Sequence, residues 1–119
     1  MISIKNKLAL DKMRTAGRYL AELFELLAFQ VKEDTTTLCL DSFVQEYLKK
    51  NGLISSTKGY RGYKHSSCIS LNDEVVHGVP SQHKKLKTGD LVKIDICASW
   101  NGYCADMTRC FFVGEVDAL

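Results

Sequence analysis

Residues 91–113 read L-V-K-I-D-I-C-A-S-W-N-G-Y-C-A-D-M-T-R-C-F-F-V, and the way this stretch alternates decides the fold. Two runs rich in β-branched and aromatic side chains, Leu91–Trp100 and 103–113, are split by Asn101-Gly102. Asn-Gly between such runs is the strongest short-range signal for a two-residue β-hairpin. With those two residues as the loop, Trp100 faces Tyr103, Ser99 faces Cys104, Ala98 faces Ala105 and Cys97 faces Asp106. Opposed residues share a face of the sheet, and so do residues two apart on one strand. Asp95 and Asp106 are then diagonal neighbours on one face, with Cα atoms roughly 7–8 Å apart. Carboxylates so placed can converge on one metal ion, or on two ions about 3.5–4 Å apart. A bulge would undo this, because a slip of one residue sends Asp106 to the other face.

That other face carries Val92, Ile94, Ile96, Ala98, Ala105, Met107 and Phe111, which suits burial under helices. The plainer alternative is a hairpin whose solvated face happens to hold two aspartates. Asp95 argues against it, because Asp is disfavoured inside strands and here stands between two isoleucines.

Upstream, the chain reads as two helices. Asn6 is the expected N-cap of the first, and Met13, Ala16, Leu20, Phe24, Leu27 and Val31 recur at helical spacing as one apolar stripe. The Asp34-Thr35-Thr36-Thr37 cluster supplies caps for the second, whose stripe is Leu40, Val44, Tyr47 and Leu48 before Asn51-Gly52 stops it. Both stripes are read as core packing on the hairpin's apolar face. Residues 52–65 form a glycine-spaced loop with Tyr60 and Tyr63, and its G-Y-x-G-Y spacing matches no phosphate-binding pattern. A short strand is expected at 66–71, and Gly89-Asp90 turns the chain into the hairpin. His77 stands where an apolar run meets a turn, whereas His65 and His83 are expected to be solvated.

The whole chain, 119 residues with 45% apolar and 25% charged content, is one domain at most, of ordinary soluble composition. Its net charge of +2 does not point to nucleic acid, and no apolar run is long enough to span a bilayer, so neither nucleic acid nor membrane is an expected partner. The N-terminus lacks the apolar region of a signal peptide. Five cysteines, an odd number without C-x-x-C spacing, argue against a disulfide framework or a structural zinc site and for reduced thiols in a cytoplasm. Cys97, Cys104 and Cys110 share the aspartate face, so a mixed Cys/Asp metal site is a further, weaker option.

Three motifs in order, N-D-E-V-V-H-G-V-P (72–80), G-D-L-V-K-I-D (89–95) and N-G-Y-C-A-D (101–106), resemble type I methionine aminopeptidases. The likeness extends to M-R-T-A-G-R at 13–18 and to the tyrosine loop, and so covers nearly the whole chain. It implies an α+β fold: residues 1–119 would be the N-terminal half of the pita-bread catalytic domain, two helices packed on an antiparallel sheet containing a long hairpin. The implied activity is removal of initiator methionine from nascent proteins, with two divalent metal ions (cobalt, manganese, iron or zinc) per complete site. The histidine-glycine motif and the lack of a leading domain point to the bacterial branch. Carried over residue by residue, Asp95 would chelate one ion and Asp106 would bridge both. His77 would hydrogen-bond the substrate near the scissile amide and steady the charge that develops there. Tyr60, Tyr63 and Cys68 would build the pocket for the methionine side chain. Implied partners are the N-termini of nascent polypeptides, with the ribosome and a C-terminal half as further candidates.

The chain departs from the family in two places. The pocket loop, commonly His-Gly-Tyr/Phe-Pro-Lys, is here Arg61-Gly62-Tyr63-Lys64-His65. The second half of the family fold supplies a histidine and two glutamates as the remaining ligands, and this sequence ends at Leu119 without them; Glu74 and Glu115 are the nearest carboxylates. Two expectations stay open. Either the chain is part of a methionine aminopeptidase, a fragment or truncated product with doubtful activity alone, or it is a noncatalytic half-fold module that binds peptide N-termini or a complementary chain.

Overall fold

The computed structural model describes residues 6–73 and 78–114. Two helices, α1 (Lys7–Ala28) and α2 (Thr37–Lys50), accompany a four-stranded antiparallel sheet. Its strands are β1 (Ile54–Ser55), β2 (Cys68–Leu71), β3 (Leu91–Trp100) and β4 (Tyr103–Phe112). This is the expected α+β arrangement, with the hairpin β3–β4 supplying the two longest strands of its sheet.

The turn has the backbone that Asn-Gly encodes. Asn101 and Gly102 have φ of 48° and 82°, the positive pair that a type I′ turn needs and that matches the twist of the flanking strands. The register is unbroken from Trp100↔Tyr103 to Leu91↔Phe112, with Cys97↔Asp106 and Asp95↔Thr108. Because β4 occupies one edge of β3 along its length, β2 and β1 share the other edge. There β2 pairs residues 68–71 with 92–95, and β1 pairs Ile54 and Ser55 with Ser99 and Ala98.

The apolar face of this sheet is the floor of the core. Val92, Ile94, Ile96 and Ala98 are fully buried with Ile69 beneath Leu20, Leu23, Phe24 and Leu27 of α1 and Leu40 and Val44 of α2. Phe24 stacks on Phe111 with ring centroids 6.3 Å apart. Arg109, the one charge on this side of β4, lies across from Ile94 with its guanidinium 5.6 Å over the Phe24 ring, so its stem covers the core while its head keeps contact with water.

Both helices begin at the anticipated caps. The Asn6 side chain accepts the Ala9 amide at 2.8 Å, and the Thr36 hydroxyl accepts the Cys39 amide at 3.1 Å. Gly52, at φ 73°, follows α2 as a left-handed stop. Met13, expected in the buried stripe, is 38% exposed. The reason is the sheet's extent: α1 runs along β4 with Lys12 over Tyr103 at the turn end and Phe24 on Phe111 further along, so Met13 lies where the sheet runs out. The helices are tied by the Tyr47 hydroxyl, which donates to the Tyr19 carbonyl at 3.0 Å. Burial, then the nearby Glu22 and Tyr19, pushes the Tyr47 phenol up to about 12, so it remains a donor at neutral pH. The 52–65 stretch is more ordered than a loop reading allows, because Ile54 and Ser55 pair with β3. Conversely, the strand expected at 66–71 begins only at Cys68, since Ser66 and Ser67 are drawn to a side chain of α2.

Two outcomes follow from these contacts. Asp90, at the entrance to β3, accepts from the Asn72 amide at 3.0 Å and the Lys87 N–H at 2.9 Å, and these bonds, Asn72's first, hold its carboxyl below the usual range. A lowered folded-state value contributes stability above the ordinary Asp pKa, about 3.9, and loses it as pH falls through the folded value. Asp90→Asn should therefore lower the urea midpoint at pH 7, with the gap to the parent closing by about pH 2. Gly78 has no room for a side chain: an added Cβ would meet the Ile69 carbonyl oxygen and lie 2.6 Å from its carbon. Gly78→Ala should cost about 1–3 kcal/mol, the usual penalty of forced overpacking, read from urea denaturation.

Candidate functional site

On the sheet face opposite the core, side chains from three strands meet. Cys68 of β2, Asp95 of β3 and Thr108 of β4 form one row, and Cys97 and Asp106 form the next. The diagonal pair expected across the Asn-Gly turn is therefore present, and the two carboxyls are close enough to share a hydrogen bond. That bond, followed by partial burial and the negative charge of Asp95, pushes the Asp106 carboxyl up. Two carboxylates held this close without a cation favour a proton between them. Their oxygen donors suit a hard divalent ion. Among the described residues no group of three His, Cys, Asp or Glu side chains converges as a metal cage. The mixed Cys/Asp site is thus not assembled there, and burial pushes the Cys97 thiol up, away from the thiolate that binds metal.

A cleft of about 480 Å³ opens over this face, and Tyr60, Tyr63, Cys68, Asp95 and Asp106 all line it. Five of the residues singled out in the sequence thus share one concavity, while His77, with Glu74 and Glu115, lies outside the described residues. Two cations line the cleft as well, Arg61 and Lys93. Strand alternation already implied Lys93, two residues from Asp95 on the same face.

The tyrosines sit on a tightly braced loop. Residues Tyr60–Gly62 make a 3-10 turn, with Arg61 in the left-handed region at φ 51°, a conformation that costs a non-glycine residue about 1–2 kcal/mol. The Gly59 amide donates to the Tyr63 carbonyl at 2.6 Å, and the Tyr63 hydroxyl donates to the Ser67 carbonyl at 2.7 Å. Burial, then Cys68 and Asp41, pushes the Tyr63 phenol up, so it acts as a neutral donor.

Sequence reasoning missed what braces this loop. Asp41 of α2 is 3% exposed, and one of its carboxylate oxygens accepts the Ser66 amide at 3.0 Å and the Ser67 hydroxyl at 2.6 Å. The other oxygen is 3.3 Å from His65 Nδ1. His65 is therefore half-buried and partnered rather than solvated. A signal was available: Asp41 stands three and seven residues before Val44 and Leu48, on the apolar stripe, where a charge needs a buried partner.

The profile of Metallopeptidase family M24 matches residues 11–119. The chain is 41% identical over 116 residues to the methionine aminopeptidase of Clostridium acetobutylicum and to methionine aminopeptidase 1 of Bacillus subtilis, over 98% of this chain and 46% of each relative. Among solved structures it resembles the methionine aminopeptidase of Rickettsia prowazekii, with a TM-score of 0.92 and 34% identity over 98% of this chain and 46% of that one. The Thermotoga maritima methionine aminopeptidase gives a TM-score of 0.92 and 36% identity over 98% of this chain and 47% of that one. The prolidase from Pyrococcus furiosus shares the fold, with a TM-score of 0.76 at 24% identity over 97% of this chain and 32% of that one. The chain thus spans about half the length of the curated relatives it matches, the N-terminal half of the pita-bread fold.

A raised carboxyl pKa means that the folded state is disfavoured by the charged pair once pH exceeds the ordinary Asp value. In metal-free buffer at pH 7, Asp106→Asn should therefore raise the urea midpoint. Millimolar manganese should narrow the gap by stabilising only the parent. A lower midpoint for the variant would mean that the two carboxyls do not repel.

Proposed function

The chain belongs to metallopeptidase family M24, and from that premise we propose that residues 1–119 are the first half of a methionine aminopeptidase catalytic domain, acting in removal of the initiator methionine from nascent proteins. The observation that carries this reading is the hairpin register, which sets Asp95 beside Asp106 in one cleft with Tyr60, Tyr63 and Cys68. In this reading Asp95 and Asp106 would be the metal ligands that this half of the fold supplies. Divalent ions held there, whether cobalt, manganese, iron or zinc, would acidify a bound water and polarise the substrate carbonyl. Tyr60, Tyr63 and Cys68 enclose the methionine side chain, whose thioether packs well against aromatic rings. His77 serves as the hydrogen-bonding residue beside the scissile amide.

The cleft face is also partly apolar. Ile54 pairs with Ser99 and Phe112 with Leu91, so both lie on the aspartate side of the sheet, where they are 71% and 56% exposed. Apolar side chains around a polar site suit coverage by further polypeptide, in this reading the second half with the remaining histidine and glutamate ligands. Substrates would be N-termini of nascent polypeptides met in the cytoplasm, at or near the ribosome. The five free thiols agree with a reducing compartment, and among the described residues no helix is long and apolar enough to cross a membrane. The same exposed face favours a second reading, a noncatalytic half-fold that binds peptide N-termini or a complementary chain.

The two readings separate in one experiment. The 119 residues are assayed on a Met-Ala-Ser peptide with manganese, alone and joined in frame to the C-terminal half of the Bacillus subtilis relative. The fusion should release methionine and the short chain should not, because two carboxylates without further ligands bind divalent ions weakly. Asp106→Ala in the fusion should abolish turnover by more than about 100-fold, the cost already incurred by losing a partner one shell further out. A silent fusion would sink the enzyme reading and leave the binding module.

A further inference from the structure

The wall of the cleft that carries Tyr63 is anchored to α2 by a pair, buried Asp41 and half-buried His65, that the proposed chemistry does not use. Asp41 reaches three successive residues at once, through the Ser66 amide, the Ser67 hydroxyl and His65 Nδ1. His65 is gripped at its main chain too, where the Thr57 hydroxyl donates to its carbonyl at 3.0 Å. Tyr63 leans on what these contacts hold: its ring meets the His65 ring edge-on at 5.6 Å, and its hydroxyl ends on the Ser67 carbonyl. The segment contains no proline, the chain's single one being Pro80, so the pose of the loop depends on noncovalent contacts. We propose that the Asp41–His65 pair is a latch that fixes Tyr63 in the cleft wall and so sets which N-terminal side chain the cleft admits. Both are positioning residues for specificity, and this role rests on reading the cleft as the methionine pocket.

The contacts divide the work in a way that can be tested. Asp41 anchors residues 66 and 67 without help from His65, so removing the imidazole leaves the tie between α2 and those two residues in place and frees only the side of the latch against Tyr63. His65→Ala removes that prop. His65→Asn keeps the tie to Asp41, because an amide nitrogen can stand where Nδ1 stood, but has no ring to set against Tyr63.

Hydrogen exchange on the 119-residue chain reads the latch itself. His65→Ala should speed exchange of the Gly59 and Tyr63 amides at least about 10-fold while that of Ile94 in β3 is unmoved, and His65→Asn, which keeps the tie to Asp41 alone, should give rates between the alanine variant's and the parent's. In the fusion, His65→Ala should lower the ratio of kcat/KM for Met-Ala-Ser over Leu-Ala-Ser about 10-fold, through KM rather than kcat, with Asn again in between. Unchanged exchange, or faster exchange with selectivity intact, would overturn the proposal. If the fusion cleaves neither peptide, the enzyme reading fails, and exchange alone then decides the latch.

Discussion

The carboxylate pair of the site, and the sheet that carries it, depend on the two-residue turn at Asn101-Gly102. Side chains on a strand alternate with a period of two, so one residue of slip in β3–β4 would exchange the core face and the site face along the hairpin. A positive φ at both turn positions makes this the type I′ loop, which Asn followed by Gly adopts readily. Once the register holds, Asp95 and Asp106 are diagonal neighbours whatever the rest of the chain does. β2 then aligns on the other edge of β3 and brings Cys68 beside Asp95.

The cleft divides its tasks between two kinds of support. The carboxylates sit on β3 and β4, whose opposite face is the packed core, so their positions inherit the rigidity of the sheet. The tyrosines sit on a loop that has no core of its own, and its order comes from a buried carboxylate on α2. The carboxylates thus have the stiffer support, and the tyrosine loop the one that depends on a few noncovalent contacts. The site also has a cost in stability, because the paired carboxyls push the Asp106 carboxyl up in the folded state.

Much of this was legible in the residues, and what was missed was missed for physical reasons. Caps at Asn6 and Thr36, the stop at Gly52 and the hairpin register are local, and each follows from a few neighbouring residues. Met13 follows the helical period as well as Leu20 does, but periodicity gives direction and not the extent of the sheet below. The two-residue strand at Ile54 exists only because β3 offers a free edge beside Ser99. His65 resembles any polar-loop histidine until Asp41, 24 residues earlier, is folded against it.

By itself, then, the sequence determined the hairpin, the two amphipathic helices, the shared face of Asp95 and Asp106, and a specific likeness to methionine aminopeptidases. Those are matters of spacing, turn chemistry and motif order, which one strand of text contains in full. Tertiary structure alone decided that Arg61 stands in the cleft with the carboxylates and that Asp41 braces the tyrosine loop. Those contacts join residues far apart in the chain, and their geometry exists only once α2 and the loop have packed against the sheet.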